Sequence, residues 1–516
     1  MLLRDVRPVL LGRARAGAPG TLAAPVDLRL TDGTITGIGP GLRPSPGEEV
    51  LDGHGALAIP GLWDQHVHVG QTAQGYSRLD TSAAGGVGEL LALTARALAE
   101  RAEDRTDDPA AALVGFGHRL VDFAGAPTVA ALDAIAPHRP VVLIGGDAHH
   151  AWMNTPALRG LGLPARESVV AEDEWFSAVA HLDDLPGVAA GLEAGVGLLQ
   201  RDALARGVVG IVDMEWSENW RLWERRAPRL RVRTATYATG LDAVPGPSGT
   251  PIGSSGLVEM GPLKAILDGA LGSRSAYCRH AYGAHGGDSR GVLSIAPDAL
   301  DALLSRADAL GLDVALHAIG DAAAGVALDA LARRPAVARR TRLEHAQMLT
   351  DADIEHIAAL GVTASVQPAH LLDDRDATEE LWGAHVGEAY RLRDLVAAGV
   401  PLVLGSDAPV APIDPWLAMA AAVHRSADAR SAWLPAQQLQ PREALAASTD
   451  GVTGLSVGGR ADLVLLDPAT DAEAFADVPT GADGLLVDAA ARESAVRLRA
   501  VRPLATIVAG RLAHSR

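Results

Sequence analysis

Eight short apolar runs punctuate the middle of this chain, and helical patterns sit between several of them. The runs are Leu62 to Val69, Val208 to Asp213, Val232 to Tyr237, Leu263 to Leu267, Asp313 to His317, Arg342 to His345, Val362 to Val366 and Pro401 to Leu404. Strands that alternate with helices signal a parallel sheet, because parallel neighbours need a crossover between them. Eight such strands are the number that closes a (β/α)8 barrel. The helical patterns Pro297 to Leu310 and Asp351 to Leu360 are each followed by glycine, a usual helix stop. The predicted fold class is therefore α/β, a TIM-like barrel.

One connection is too long for a plain βα unit. It runs from Gly70 to about Gly207 and carries its own strand-like runs, Ala112 to Gly117 and Val141 to Ile144, and a helix near Val87 to Ala102. It reads as an inserted subdomain after strand 1, about 71–206, at the mouth of the barrel. Both chain ends read as short strands. Val26 to Leu30 and Thr34 to Gly39 flank Asp32-Gly33, a hairpin signal. Ala461 to Asp467 and Ala505 to Arg511 are bounded by turn residues, and the basic tail from Arg492 to Arg516 is read as strand-rich. Neither end is long enough for its own core. The expected layout is a small β-sandwich from 1–58 and 455–516 beside a barrel spanning 59–454.

With 48% hydrophobic and 21% charged residues in 516, a large core forms and global disorder is excluded. The net charge of −18 argues against non-specific binding to nucleic acid or anionic membrane. The only cysteine, Cys278, excludes an intrachain disulfide and fits a reducing compartment. Neither a signal-peptide core nor a spanning apolar run is found, so a soluble cytoplasmic protein is expected, a homo-oligomer that acts on a small-molecule substrate and binds neither nucleic acid nor membrane.

The chemistry starts at Asp64-Gln-His66-Val-His68. Two histidines at i and i+2 on a strand face the same way and can grip one ion. Alone, the pattern equally fits two core histidines. Polar residues then recur at the ends of later strands: Lys264, His317, His345 and Asp407. Barrel enzymes place catalytic groups at these ends, so the set reads as a site. Imidazole and carboxylate suit zinc and similar divalent ions. Lys264 is the one lysine among 45 basic residues. A neutral amine reacts with carbon dioxide to give a carbamate that can bridge two ions, which a guanidinium does not do. An ordinary interior ion pair is the other reading of Lys264.

The motifs resemble the amidohydrolase superfamily, specifically the family-3 amidohydrolases, whose members include N-substituted formamide deformylase. The resemblance rests on Pro60-Gly-Leu-Trp-Asp-Gln-His-Val-His68, Leu267-Asp-Gly-Ala-Leu-Gly-Ser-Arg274, His317-Ala-Ile-Gly-Asp321, Glu344-His-Ala-Gln347, Ser365-Val-Gln-Pro368 and Gly405-Ser-Asp-Ala-Pro409. It implies that His66, His68, His317, His345 and Asp407 are ligands of one or two zinc-like ions, with Lys264 at a position that can be N-carboxylated and bridge. It also implies the sandwich made from both ends. Two departures stand out. Asp147-Ala-His-His-Ala-Trp152 replaces the usual Asp-Gly-His-Ser-Ala-Trp, and Ala322 stands where arginine is usual.

The implied reaction is hydrolysis of a C–N bond in an amide, formamide or cyclic amide, with Asp407 as general base. Asp268, Arg274, His149, His150 and Trp152 are the candidate substrate contacts; Arg274 equally suits an internal ion pair. Two alternatives stand beside this reading: a deaminase of heterocyclic amines on the same scaffold, and a catalytically silent metal-binding protein.

Overall fold

The computed structural model describes all residues except 10–23, 104–107, 121–122, 217, 284–286 and 335–339. The eight expected runs form one parallel sheet in sequence order. Its strands are β1 (Leu62–Val67), β2 (Val208–Asp213), β3 (Arg231–Thr236), β4 (Val258–Ile266), β5 (Val314–Ala318), β6 (Thr341–His345), β7 (Thr363–Val366) and β8 (Leu402–Leu404). The circle is nearly closed by a parallel bridge between Val67 and Ala408. Two hydrogen bonds support it: Asp407 N–H donates to His66 O at 2.7 Å, and His68 N–H to Ala408 O at 2.9 Å. This is a TIM-like α/β fold. Gly405 permits the closure, since a Cβ there would lie 2.8 Å from the His66 nitrogen.

The expected helices appear as Pro297–Leu310 and Asp351–Leu360. The second starts with a capping box in which Thr350 and Asp353 satisfy each other's backbone N–H.

Both chain ends join one eight-stranded sheet. Leu463–Leu466 pairs antiparallel with Leu57–Pro60, so the C-terminal strands attach through the segment that leads into β1. The hydrogen-bonded path is continuous through both ends, which were expected to form a small β-sandwich. Leu2–Pro8 explains this: its first half pairs with Val26–Thr31 and Val50–Asp52, its end with Leu57–Pro60. Its register shifts between Leu3 and Val6, and Asp5 has φ 49°, so the strand bends from one half to the other. Leu3, Leu28, Ile35, Leu463 and Ile507 from both halves share one core.

The tail differs from expectation. Asp488–Ala500 is a helix, and only Ala505–Val508 and Arg511–Ser515 are strands. Ala491, Ala495 and Leu498 are buried at helical spacing, a period masked in the sequence by the intervening arginines.

Gly70–Leu199 forms a second compact unit. It holds a five-stranded sheet, in spatial order Val170–Ala171, His150–Met153, Val141–Gly145, Leu113–His118 and Leu79–Asp80, and the helix Val87–Glu103. Among the described residues, no helix is long and apolar enough to cross a membrane.

Candidate active site

Barrel geometry brings six of the expected residues to the C-terminal ends of the strands. His66 and His68 come from β1, Lys264 from β4, His317 from β5, His345 from β6 and Asp407 from just beyond β8. Asp407 Oδ1 lies 3.4 Å from both His66 Nε2 and His68 Nε2. The ring centroids of His317 and His345 are 4.3 Å apart, and those of His66 and His345 5.1 Å. Lys264 Nζ is 3.2 Å from His66 Nε2 and is buried.

The backbone is strained where these groups converge. His345, Ala346 and Asp407 have φ of 70°, 44° and 56°, in the left-handed region. Such residues cost about 1–3 kcal/mol each and persist where the surroundings over-determine them. Here the Asp407 amide is pinned to His66 O, and Asp64 Oδ1 accepts from the amides of His66 (3.2 Å) and Ser406 (2.9 Å).

Burial and neighbouring charge set the protonation states. Burial, then the Lys264 charge, lowers His66 to about 4 and His317 to about 3, so both imidazoles are neutral at pH 7. Burial would raise Asp407, yet His66, His68, His345 and His370 hold it well below the carboxylate range. Lys264 falls to about 8, chiefly through burial, against the pull of Glu344 and Asp407.

Two groups at this site escaped the sequence reading. Glu344 is buried on β6 with Oε2 2.8 Å from His66 Nδ1. Arg342 donates to Glu344 Oε1 at 2.8 Å and, with His66, holds that carboxylate well below its usual range against the effect of burial. An ionised Glu344 accepts a hydrogen bond from His66 Nδ1–H, which leaves the lone pair on Nε2, the nitrogen that faces Asp407. His370 is the second. Its Nε2 lies 3.2 Å from Ser406 O and 4.0 Å from Asp407 Oδ2. Glu344 stood inside a quoted motif, but only folding brings it to His66.

The residues fit a divalent ion. His66, His68 and Asp407 offer ligand atoms within 4.8 Å of one another, and so do His345, His370 and Asp407. His345 Nδ1 is buried without a hydrogen-bond partner, a state that costs free energy unless something else uses the lone pair. Neutral imidazoles around an ionised carboxylate are the donor set that such ions take.

The expected substrate contacts fare differently. Asp268 is buried, with Oδ1 accepting from Ile319 N (3.0 Å) and Oδ2 from Gly320 N (2.8 Å) and Tyr277 N (2.9 Å). Its Oδ1 also sits 3.4 Å from His317 Nε2. Asp268 thus anchors the loop through three backbone amides, with His317 beside it. Arg274 is exposed on that loop, with φ 54°. Trp152, another expected substrate contact, is fully buried in the core of the second unit, and its Nε1 donates to Thr128 O at 2.9 Å. His150, in the same unit, is buried against His118, with their Nε2 atoms 3.3 Å apart. His149 is exposed beside Glu172 and Phe176.

A cavity of about 590 Å³ lies at the other end of the barrel, where Arg231, Arg233 and Arg342 are among its lining residues. Arg231, Arg233 and Arg342 are matched by Asp462, Asp450 and Glu344, which brace this end with ion pairs.

A profile of the amidohydrolase family matches residues 49–514. Protein LONG AFTER FAR-RED 3 of Arabidopsis thaliana is 28% identical over 469 residues, covering 80% of this chain and 78% of that protein. N-substituted formamide deformylase of Arthrobacter pascens is 26% identical over 480 residues, covering 82% and 85%. In fold, the chain is similar to an uncharacterised metal-dependent hydrolase from Pyrococcus furiosus, with TM-score 0.72 and 23% identity, covering 90% of this chain and 98% of that one. With the family matched across nearly its whole length, this chain belongs to the amidohydrolase family, among the family-3 amidohydrolases.

Proposed function

We propose that the chain is a metal-dependent hydrolase of a C–N bond in an amide, formamide or cyclic amide. The observation that carries this is the convergence of neutral His66, His317 and His345 with His68 on an ionised Asp407 at the strand ends. The similarity to N-substituted formamide deformylase supports a formamide as the first substrate class to try.

His66, His68, His317, His345 and Asp407 would hold one or two zinc-like ions. A bound divalent ion supplies Lewis acidity, which lowers the pKa of water towards about 7 and polarises a carbonyl. Asp407 accepts the proton of the attacking water and returns it to the departing nitrogen, so the amine leaves neutral. Glu344 keeps His66 in the tautomer with Nε2 free.

Lys264, once N-carboxylated, would add an anionic oxygen ligand to that set. Its neutral amine nitrogen bonds to the carbon of carbon dioxide and loses a proton, giving an anionic carbamate. Burial makes the neutral amine accessible: at a pKa of about 8, roughly a tenth of it is unprotonated at pH 7.

The test is a screen of N-formyl and N-acyl amines with zinc-loaded protein, reading carboxylate and amine release. Formate release from an N-substituted formamide supports the reading. Ammonia release from heterocyclic amines, with no amide turned over, would replace it with the deaminase.

A further inference from the structure

A second group of ligand-type side chains lies away from the strand-end cluster, where the loop after β4 meets the helix Asp321–Ala332. Cys278 is 1% exposed, His280 follows two residues later, and Asp321 opens the helix. Their ligand atoms all lie within 4.8 Å of one another.

Each member has capacity to spare. His280 Nε2 is buried with no hydrogen-bond partner. The Cys278 thiol makes long contacts, 3.5 Å to Ala276 O and 4.0 Å to the Tyr282 hydroxyl. Asp321 accepts from the Arg279 amide (2.9 Å) and from Arg279 Nη1 (3.4 Å), which leaves a lone pair on each oxygen. Arg279 spends its stronger bonds on Asp353, at 2.9 Å through both terminal nitrogens. The His280 ring is steadied by His385, stacked at 4.1 Å and 14°.

We propose that Cys278, His280 and Asp321 form a further metal site, for a single zinc-like ion with a structural role. Thiolate with imidazole selects zinc-class ions over hard cations such as magnesium. A tetrahedral zinc needs ligand atoms about 3.3–3.8 Å apart, so side-chain adjustment of about an ångström suffices. On binding, the S–H bond breaks, the proton goes to solvent, and the sulfur donates its electron pair; nothing is oxidised or reduced. Water completes the fourth position.

The site joins two pieces that matter to the strand ends. Tyr277 O accepts from the amides of Ala322 and Ala323, each at 3.1 Å, and the Tyr277 amide donates to Asp268. An ion held by Cys278, His280 and Asp321 staples that loop to the helix, behind the Asp268 carboxylate that lies beside His317.

The single cysteine makes the test clean, because no thiolate exists at the strand-end cluster. The full-length protein is stripped of metal and loaded with cobalt(II), and its near-ultraviolet absorption is recorded. The wild type should show a thiolate-to-cobalt charge-transfer band. Cys278→Ser should lose the band and about one equivalent of metal per chain, and His280→Ala should weaken the band. A folded, cobalt-loaded wild type with no such band overturns the proposal without recourse to any variant. So does a Cys278→Ser protein that binds as much metal as the wild type. Neither readout depends on activity, so an inactive preparation leaves the test intact.

Discussion

Glu344→Gln isolates what one buried charge does for His66. The carboxylate has no exposure and serves three donors: His66 Nδ1 at 2.8 Å and Arg342 at 2.8 and 3.2 Å. An amide of the same shape has one acceptor oxygen. If that oxygen faces His66, the NH2 group faces the Arg342 Nε–H, and one donor pair is left opposed. Arg342 keeps Gln65 Oε1 (2.9 Å), Gln65 O (2.7 Å) and Ser365 Oγ (2.8 Å), so it is not stranded. The stability loss should therefore stay near 1–3 kcal/mol, below the ~3–5 kcal/mol of a buried pair stripped of one partner. The functional loss should be larger in proportion. Removing the carboxylate behind a ligating histidine typically costs about 10–100-fold in metal affinity or activity, or about 1.4–2.7 kcal/mol. Chelator competition against the apo protein reads the affinity, and urea unfolding reads the stability. A folded Glu344→Gln protein with wild-type affinity and rate would refute the idea that Glu344 sets the His66 tautomer.

Other perturbations probe the remaining roles. Asp407→Asn keeps a residue that tolerates φ 56° and can still ligate, but it accepts no proton; turnover should fall about 10²–10⁴-fold with metal partly retained, measured as kcat beside metal content. Lys264→Arg should lose activity despite keeping the charge, and Lys264→Ala should regain part of it with formate or acetate; full activity in the Arg variant makes the lysine a plain ion-pair member. Asp450 is held at about 2 against burial by Arg233 and Arg460, below its ordinary 3.8. Its folded pKa is depressed, so its contribution is complete above about pH 4 and fades as pH falls towards 2. That is about 2 kcal/mol, and the stability gap between wild type and Asp450→Asn should narrow over that window in urea unfolding.

The barrel was legible because its strands are buried on both faces and read as short apolar runs between helices. All eight runs overlap the observed strands, and the helix after β4 matches to the residue. The polar residues at the strand ends were legible as a set, since each alone has an ordinary core explanation but together they recur at the ends of successive apolar runs. What stayed hidden depends on partners far away in sequence. Glu344 meets His66 across 278 residues, and nothing local to either reveals the pair. Trp152 and Asp268 sit in motifs that looked like substrate contacts, yet one fills a core and the other feeds three backbone amides. A motif records that a residue type is needed, without saying whether the need is packing, anchoring or contact. The Asp488–Ala500 helix was obscured because three of the four residues between its buried positions, Arg492, Glu493 and Arg497, are charged, and the strand-like alternation of the tail beyond Leu504 was extended back over it.

The central claim is that metal at the strand-end histidines and Asp407 drives C–N hydrolysis. Its most direct test is a zinc titration of the apo protein, made with Cys278→Ser so that only the strand-end cluster is filled. The initial rate on an amide turned over in the screen is followed at each addition. The account predicts a rate that rises in proportion to bound metal and levels when the cluster is full, with no rise in a His66→Ala, His68→Ala double variant. A rate that is already full in the apo protein, or that rises equally in the double variant, would contradict it.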